Sequence, residues 1–553
     1  MSDRSADAES RIDRRRFLVA TGMAGVGTTL AGCSGGGSGG DGGSGGDGGD
    51  GSGGGATGPS GEPQEGGTLV WGHSEVTQEL DVHLAQTAAS SRFLNNVHET
   101  LVGLSGELEI SNAADVTRPG LAADWEINDD RTEYTFTLRD GVTFHDGSEL
   151  TSADVRYTFE RIMDPDVGAR YSGVLTAVES IETPDESTVV LSMSERYNPL
   201  LRQLAFTGTA IIPEGSASEQ ASNPVGTGPF VFESRQQGNR AELSAFDDYW
   251  GEGPYVDTLE ERTMTDPDTR LTGLTDGDLD YINDIPLDDM SDYVDGANDA
   301  VQTSTWRPLA FNHMYLHNDR PPFDSVNWRR AIDFAIDKQE LVEGALFGQG
   351  STLATPSFPN SPYRNEDLDP RPQDVEQARS LIEDSEYGID EFAPLEFKVT
   401  TNYPWHVTAA TIMEQHFSEV GLDVEIQELQ WGDWLTQVTS NMDYRMAMVN
   451  WFGGWEPAQM YRGLFHSEGS FNSFAYASDD FDSAIENAET APSEEEEVEY
   501  YREAQRVLHE EVPSPMLWFR DGAMAGKPSV GGLDTVLAPN NTEVNFGSAW
   551  LDE

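Results

Sequence analysis

The stretch YTFTLRDGVTFHDGSELTSADVRYTFERIMDP, from Tyr134 to Pro165, decides the fold class of this 553-residue chain. Its first part, Tyr134–Leu138, alternates apolar and polar residues, which is typical of a half-buried strand. Asp140-Gly141 has turn composition, and Val142–Phe144 resumes the alternation. The first half of the stretch therefore predicts a β-hairpin.

The second half predicts a helix with a defined start and stop. Thr151 is a residue type that caps helix N-termini, and Asp154 stands three residues later, where a capping box places an acid. One helical face is apolar, with Val155, Phe159 and Ile162. Asp164-Pro165 ends the pattern.

Outward from this stretch, short strands and amphipathic helices alternate from Thr68 onward, which indicates a mixed α/β fold. Helices are predicted at Ser91–Gly103, Asp268–Leu274, Asp324–Ile336, Asp374–Asp384, His406–Val420, Asp479–Ala488 and Ser493–Glu511. Strands are predicted at Thr68–Gly72, Thr188–Met193, Phe230–Phe232, Leu309–Leu316, Leu395–Thr400, Asp423–Leu429 and Met446–Trp451. The segment Leu395–Leu429 has the order strand, helix, strand, which predicts a parallel crossover unit.

The charge of the chain is extreme. It has 98 acidic and 33 basic residues, a formal charge of −65, and only three lysines, Lys338, Lys398 and Lys527. This charge repels nucleic acid and anionic lipid, so neither is an expected partner. Because the acids are spread along regular apolar patterns, we interpret them as the surface of a halophilic protein, screened by concentrated salt.

The N-terminus has the composition of an export signal followed by a tether. Arg14-Arg15-Arg16-Phe17-Leu18 resembles a twin-arginine signal, and Leu30-Ala31-Gly32-Cys33 resembles a lipobox in which Cys33 receives lipid. The alternative is a buried cysteine in an uncleaved helix. Residues 34–67 are rich in Gly, Ser and Asp, which predicts a disordered linker. We therefore expect an exported protein held by lipid on the outer face of the cytoplasmic membrane.

A set of motifs resembles the family 5 extracellular solute-binding proteins, the dipeptide, oligopeptide and nickel receptors of ABC importers. The motifs include Pro119–Glu126, the opening stretch, Pro224–Phe230 (PVGTGPF), Asp247–Asp257, Phe311–Lys338, Asp374–Ile382, Gly421–Trp434 and Val512–Phe519. The resemblance implies a two-lobed periplasmic-binding-protein fold, class II-like, with an extra subdomain on the first lobe and two hinge crossings. The ligand is enclosed between the lobes.

The resemblance also implies where the lobes begin and end. After the signal at 1–33 and the linker at 34–67, we expect lobe 1 at 68–307, with the subdomain at about 98–221. Lobe 2 is expected at 308–517, and residues 518–553 return to lobe 1. The hinge crossings are expected near Arg307 and Trp518.

The implied function is that of a monomeric receptor that passes a small molecule or peptide to an ABC permease driven by cytoplasmic ATPases. Peptides are the first choice of ligand, with oligosaccharides and metal chelates as alternatives. A sensory or adhesion lipoprotein without transport is an alternative of another class. No catalysis, cofactor or metal centre is expected, because HExxH does not occur, GxSxG occurs only within the Gly/Ser-rich linker and not as a nucleophile elbow, and the ten histidines are scattered.

Candidate ligand-binding residues lie in three predicted loops. His73 and Ser74 follow the first strand, and Tyr403 and His406 follow the strand that ends at Thr400. In peptide receptors of the family, the loop after the strand Met446–Trp451 carries an aspartate that pairs with the ligand's amino group. Here Gly454 stands at that position, and Glu456 is a possible substitute two residues on. Trp451 and Trp455 are expected to form flat apolar walls; Trp431 and Trp434 are interpreted as core residues, and the Asn312-His313 pair as structural.

Overall fold

The structure, a computed structural model, describes residues 58–59, 61–85, 87–104, 117–294, 300–306, 310–358, 361–452, 457–533 and 544–552. The predicted signal, Cys33 and the linker up to residue 57 lie outside these ranges. So do Gly454, Trp455, Glu456 and a possible glycosylation sequon at Asn540. Within the described ranges, no helix has both the length and the apolar character that a membrane crossing requires.

The strands of the described chain are β1 (Thr68–His73), β2 (Val102–Leu104), β3 (Thr117–Pro119), β4 (Ala122–Ile127), β5 (Glu133–Leu138), β6 (Val178–Asp185), β7 (Thr188–Met193), β8 (Phe230–Gln236), β9 (Arg240–Ala245), β10 (Thr258–Thr263), β11 (Tyr281–Ile282), β12 (Gln302–Trp306), β13 (Ala310–Leu316), β14 (Gly350–Thr352), β15 (Leu395–Thr400), β16 (Val424–Leu429), β17 (Met446–Phe452), β18 (Met516–Arg520), β19 (Gly522–Gly526), β20 (Val530–Gly531) and β21 (Trp550–Leu551).

The α-helices of the described chain are α1 (Ala88–Leu94), α2 (Ser152–Met163), α3 (Leu200–Gln203), α4 (Ala217–Gln220), α5 (Pro267–Asp276), α6 (Met290–Val294), α7 (Val326–Ala335), α8 (Lys338–Ala345), α9 (Val375–Glu383), α10 (Pro404–Val420), α11 (Trp431–Trp434), α12 (Pro457–Met460), α13 (Asp479–Glu489) and α14 (Glu494–Glu511). Short 3-10 turns lie at Ser172–Leu175 and Thr207–Thr209. π-helical segments extend α11 and α12.

Three sheets organise the chain. The first has the order β12-β19-β11-β1-β10-β9-β8, with β1 parallel to both of its neighbours. The second has the order β14-β18-β13-β17-β15-β16, and β15 is parallel to β16, as the predicted crossover unit requires. The third is the antiparallel sheet β4-β5-β7-β6. Separate apolar cores are buried against these sheets, so each is the centre of its own packing unit.

The result is two lobes and a subdomain. The first sheet belongs to lobe 1 and the second to lobe 2, and the third lies in a chain segment inserted between β1 and β8. The chain passes to lobe 2 between β12 and β13 and returns between β18 and β19. Trp518, near which the return is expected, lies inside β18, where it pairs with Asn312 and Thr352. Two neighbouring crossings form a hinge about which lobes can close.

The opening stretch folds partly as predicted. Thr151 and Asp154 form the capping box of α2, with the Thr151 backbone N–H donating to Asp154 Oδ2 at 2.8 Å, and Asp164 caps the C-terminus. The predicted hairpin is wrong: β5 pairs with β4 and β7, while Val142–Phe144 lies outside the strands. The alternation identified a strand but not its partners, which come from other parts of the chain.

The subdomain also touches lobe 2, far from the hinge in sequence. The Asn198 backbone N–H donates to Glu489 O at 2.9 Å, and its Nδ2 donates to Ala488 O and Ala491 O at 3.2 and 3.0 Å. The C-terminal carbonyls of α13 thus obtain donors that their own helix cannot supply. We call this group, with the neighbouring Arg202–Glu497 ion pair, the subdomain contact.

Candidate functional site

The loop after β1 places Glu75 where the two lobes meet. Its Oε2 is buried and has no hydrogen-bond partner among the described residues. The charges that act on it come from Arg92 on α1, Arg270 on α5 and Asp284 after β11. Burial raises the pKa of the Glu75 carboxyl to about 8, because the ionised form loses hydration, and Arg92 opposes this only in part. Glu75 is therefore a proton-bearing group at neutral pH.

Arg520 is the last residue of β18, at the hinge, and its guanidinium contacts both a carboxylate and an aromatic ring. Its Nη1 lies 3.5 Å from Asp284 Oδ1, which belongs to lobe 1. Its guanidinium also lies over the ring of Trp405 in lobe 2, 5.0 Å from the centroid. Only 4% of Arg520 is exposed. The hinge strand thus ends in a buried cation that contacts both lobes.

Tyr403 faces these charges from lobe 2. Its ring stacks on Trp405 with centroids 5.2 Å apart, and 3% of the residue is exposed. Its hydroxyl lies near Asn402 and Asn450 and makes no hydrogen bond of good geometry among the described residues. Burial raises the pKa of the hydroxyl, and the negative charge of Glu75 adds to the effect. Groups from opposite lobes therefore share one electrostatic environment.

These groups form a single constellation, which we call the interlobe cluster. Its members are Glu75, Arg92, Arg270, Asp284, Tyr403, Trp405 and Arg520. It combines a buried carboxyl, buried cations and aromatic faces at the junction of two lobes. Polar and aromatic groups that converge at a junction between lobes make this cluster a candidate ligand site.

His73 and Ser74, two predicted ligand contacts, lie beside this cluster. His73 is fully buried in lobe 1, and its Nδ1 forms a 2.7 Å hydrogen bond with Glu261 Oε1. Burial lowers the pKa of His73, so the ring is neutral and donates this bond. Ser74 is partly exposed, and its Oγ accepts from Asn283 Nδ2 at 3.3 Å. Direct ligand contact by either residue stays a prediction.

His406 and Trp451, also predicted to bind ligand, are buried in lobe 2. His406 Nε2 donates to Asn312 Oδ1 at 2.8 Å, and burial lowers the pKa of His406 to about 3. Its ring packs edge-on against Tyr403, with centroids 4.9 Å apart. Trp451 is 3% exposed and packs against Phe471. In the described structure both residues are packed inside lobe 2, and ligand contact stays a prediction for both.

Several interlobe residues were not recognised from the sequence as candidates. Arg92 looked like an ordinary helix residue, although every residue of α1 is buried and a buried arginine on an apolar helix is itself a signal. Arg520 follows the apolar run Met516–Phe519 directly, just before the hinge. Glu75 lies in the loop predicted after the first strand, but no sequence motif distinguishes it there. Their convergence depends on contacts between distant segments.

A bare metal ion has no obvious site in the part of the chain that is described. There, no group of three or more His, Cys, Asp or Glu residues is arranged to hold a metal. The cluster instead offers hydrogen bonds, charges and ring faces, which suit an organic ligand.

Comparisons with known proteins agree with this architecture. The glutathione-binding protein GsiB of Salmonella typhi is 26% identical over 455 residues, which cover 78% of this chain and 85% of the relative. The dipeptide-binding protein of Escherichia coli is 25% identical over 431 residues, covering 72% and 79%. The crystal structure of the ABC transporter substrate-binding protein CtaP from Listeria monocytogenes superposes with a TM-score of 0.78, at 21% identity, over 89% of this chain and all of CtaP.

The fold and these relatives agree with one assignment. The sequence pattern described as "Bacterial extracellular solute-binding proteins, family 5 Middle" matches residues 116–473, which is more than half of the chain. The chain belongs to the family 5 extracellular solute-binding proteins.

Proposed function

We propose that this protein is the lipid-anchored receptor of an ABC importer, which encloses a peptide between its lobes and delivers it to a membrane permease. Family membership supports the receptor role, and the relatives named for glutathione and dipeptides favour short peptides as ligands. CtaP, which shares the fold, is itself described as an ABC transporter substrate-binding protein. The role is binding without catalysis.

The observation that carries the proposal is the interlobe cluster. Glu75 belongs to lobe 1, Tyr403 to lobe 2 and Arg520 to the hinge strand, yet each acts electrostatically on at least one of the others. A ligand that touches all three binds the closed arrangement better than the open one. Its differential affinity shifts the equilibrium towards closure, the state that a permease can recognise.

The test of ligand class is mass spectrometry of the solute that copurifies with the protein and is released by gentle denaturation. A mixed population of short peptides is the expected result. A single sugar or chelate mass would replace the peptide with that ligand class. Small-angle scattering in molar salt then checks closure: the radius of gyration should fall on adding a binding peptide, and an unchanged radius across peptide, sugar and chelate libraries would contradict the receptor role.

The lipid anchor is a separate part of the proposal, based on the lipobox at Leu30–Cys33 and the linker that follows. Replacing the only cysteine removes the thiol that accepts lipid. We expect Cys33→Ser to be released into the medium, while the wild-type protein stays in the membrane fraction. Retention of the Ser variant in washed membranes would contradict lipid anchoring and leave the binding role untouched.

A further inference from the structure

The Arg202–Glu497 ion pair is the charged part of the subdomain contact, and it is buried. Arg202 lies on α3 of the subdomain and Glu497 on the first turn of α14 in lobe 2, with Arg202 Nη2 2.6 Å from Glu497 Oε1. The two side chains are 7% and 3% exposed. The guanidinium also lies over the ring of Tyr363, 5.5 Å from its centroid. An arginine of the subdomain is thus enclosed by a carboxylate and an aromatic ring of lobe 2.

On each side of the subdomain contact, the groups that meet are held by bonds within their own part of the molecule. In the subdomain, Arg131 Nη1 donates to Asn198 Oδ1 at 3.5 Å. In lobe 2, the carbonyl of Glu489 accepts the Asn198 N–H, and the Glu489 carboxylate accepts from Nε and Nη2 of Arg462, both at 2.7 Å. The two surfaces are therefore preorganised, so their meeting requires little further ordering of side chains.

The subdomain is fixed to lobe 1 by polar contacts of its own. Arg161 on α2 donates to both carboxylate oxygens of Asp81, in the loop after β1, at 3.1 and 2.6 Å. Glu99, at the start of the subdomain, accepts from the Nε1–H of Trp250 at 2.6 Å, and Trp250 lies between β9 and β10 of lobe 1. Separation of the lobes at the hinge therefore moves the subdomain together with lobe 1.

We propose that the Arg202–Glu497 pair holds the lobes in their closed arrangement, because it forms when the lobes close and separates when they open. Both members are positioning residues: they act on the cleft through the arrangement of the lobes, and neither belongs to the interlobe cluster. The inference rests on the proposed function, in which closure encloses the ligand. Loss of either partner therefore lowers ligand affinity from a distance.

The energetics of a buried ion pair suit a contact that forms and breaks. Burial removes hydration from both charges, which offsets much of their attraction, so the net gain is small. Salt screens a buried pair much less than an exposed one, so the contact persists in concentrated salt. Removing one partner has a larger effect, since closure then buries a charge without its counter-charge, whereas the open state leaves that charge hydrated. Removing both charges avoids this cost.

The test measures the distance between the lobes by electron–electron double resonance on the full chain in molar potassium chloride. The chain has one cysteine, so spin labels are placed in a Cys33→Ser background. The labelled variants are Glu242→Cys on β9 and Glu425→Cys on β16, two exposed positions on strands that lie away from the hinge strands of their sheets. The probe is the solute that the wild-type protein releases on denaturation, and it should convert a longer distance into a shorter one.

Arg202→Met and Glu497→Met should each need about tenfold more solute than wild type to give the shorter distance. The double variant places apolar side chains where the charges met and should recover most of this loss. Such recovery is expected of a pair that acts as a unit and not of two separate packing defects. Where a Met variant does not fold, Glu497→Gln, which keeps the shape of the side chain, takes its place.

The matched control is Arg161→Met, which breaks a buried pair of the same length, 2.6 Å, between the subdomain and lobe 1. Its melting temperature should fall while its solute requirement stays that of wild type. If Arg202→Met also loses only melting temperature, the contact persists in the open state, and the proposal is wrong while the receptor role stands. An unchanged distance in wild type with the released solute and with peptide, sugar and chelate libraries would contradict both the proposal and the proposed function.

Discussion

Glu75 is a buried carboxyl whose protonation should affect stability. Its pKa is about 8 in the fold, against an ordinary value of 4.5. Between these values the unfolded chain loses the proton and the folded chain keeps it, so the ligand-free wild type loses stability as pH rises. Glu75→Gln does not titrate. We expect its melting temperature relative to wild type to increase from pH 5 to pH 8.

The control for this titration is Glu79→Gln, in the same loop but exposed. It should shift the melting temperature by a similar amount at every pH. If the curves of wild type and Glu75→Gln run parallel from pH 5 to pH 8, Glu75 is not protonated in the fold.

Each of the three lysines is held in an ion pair. In the Lys338 pair both side chains are buried, 4% and 6% exposed: Lys338 Nζ lies 2.9 Å from Asp333 Oδ1 and donates to Arg371 O at 3.1 Å. Lys338→Met removes one of the two cations that hold Asp333, because Arg371 Nη1 also lies 3.0 Å from Asp333 Oδ2. We expect this variant to lower the free energy of unfolding by about 1.5–3 kcal/mol, the usual cost of losing a hydrogen bond to a charged group, measured by urea denaturation in molar salt.

Lys527 supplies the matched comparison. It pairs with Asp280 Oδ1 at 2.7 Å, but its side chain is 26% exposed, so water replaces much of what is lost. Lys527→Met should cost about 1 kcal/mol or less. Equal losses for the two variants would mean that burial does not control the strength of these pairs.

At this scale the sequence singled out one member of the interlobe cluster, Tyr403, and its contact with ligand stays a prediction. Tyr403 was singled out because it follows a strand of a predicted parallel crossover, and a loop there faces the ligand in such folds. Arg92 and Asp284 could not be found in this way, because each is ordinary within its own segment. Their significance arises only when segments nearly 200 residues apart meet around Glu75.

The secondary-structure elements that could be predicted were those with signals in their own sequence, such as helical periodicity and a terminal glycine. α10 was expected at His406–Val420 and lies at Pro404–Val420, ended by Gly421, whose φ of 100° favours glycine. The helix predicted at Ser91–Gly103 fails: α1 ends at Leu94, and β2 occupies Val102–Leu104. Pairing with β3 stabilises Val102–Leu104 as a strand. Local periodicity in the sequence cannot reveal such a partner strand.

The subdomain contact gives a prediction about closure. The Asn198 side chain donates to Ala488 O and Ala491 O, beside the C-terminus of α13 in lobe 2. Asn198→Ala removes two hydrogen bonds, each worth about 0.5–1.5 kcal/mol. Because the contact joins the subdomain of lobe 1 to lobe 2, we expect the variant to close less readily. Ligand affinity should fall about tenfold, although Asn198 is not a member of the interlobe cluster.

The measurement combines calorimetry with hydrogen exchange at residues 488–491, where exchange should become faster. Arg196→Ala is the control, because Arg196 lies in the same segment but donates to Asp129 O within the subdomain. Unchanged affinity in Asn198→Ala would mean that the contact persists when the lobes open, and so does not oppose opening.

The whole molecule consists of two lobes, a subdomain and a hinge, and these parts were predictable to different degrees. The order of motifs along the chain was enough to predict two lobes, a subdomain and a hinge. It was not enough to predict the interlobe cluster, because the fold brings together side chains from Glu75 to Arg520, which nearly the full folded chain separates. The exact limits of the lobes stay a prediction, although the strands on either side of Asp521 belong to different sheets.

The net charge of −65 leads to a prediction about salt at the scale of the whole chain. Glu179, Glu182 and Glu186 are exposed on the edge strand β6 and the turn after it. Changing all three to Gln removes three negative charges from the surface. At about 1 M salt the Debye length is about 3 Å, so repulsion matters mainly below that concentration. Potassium chloride should raise the melting temperature of the Gln variant as it does for wild type. The variant should therefore reach half of its maximal increase at a lower salt concentration. The control variant changes the same three residues to Asp, which keeps the charge, so it should need the same potassium chloride concentration as wild type. If the Gln variant also needs the wild-type concentration, salt stabilises this protein by strengthening apolar burial and not by screening its acids.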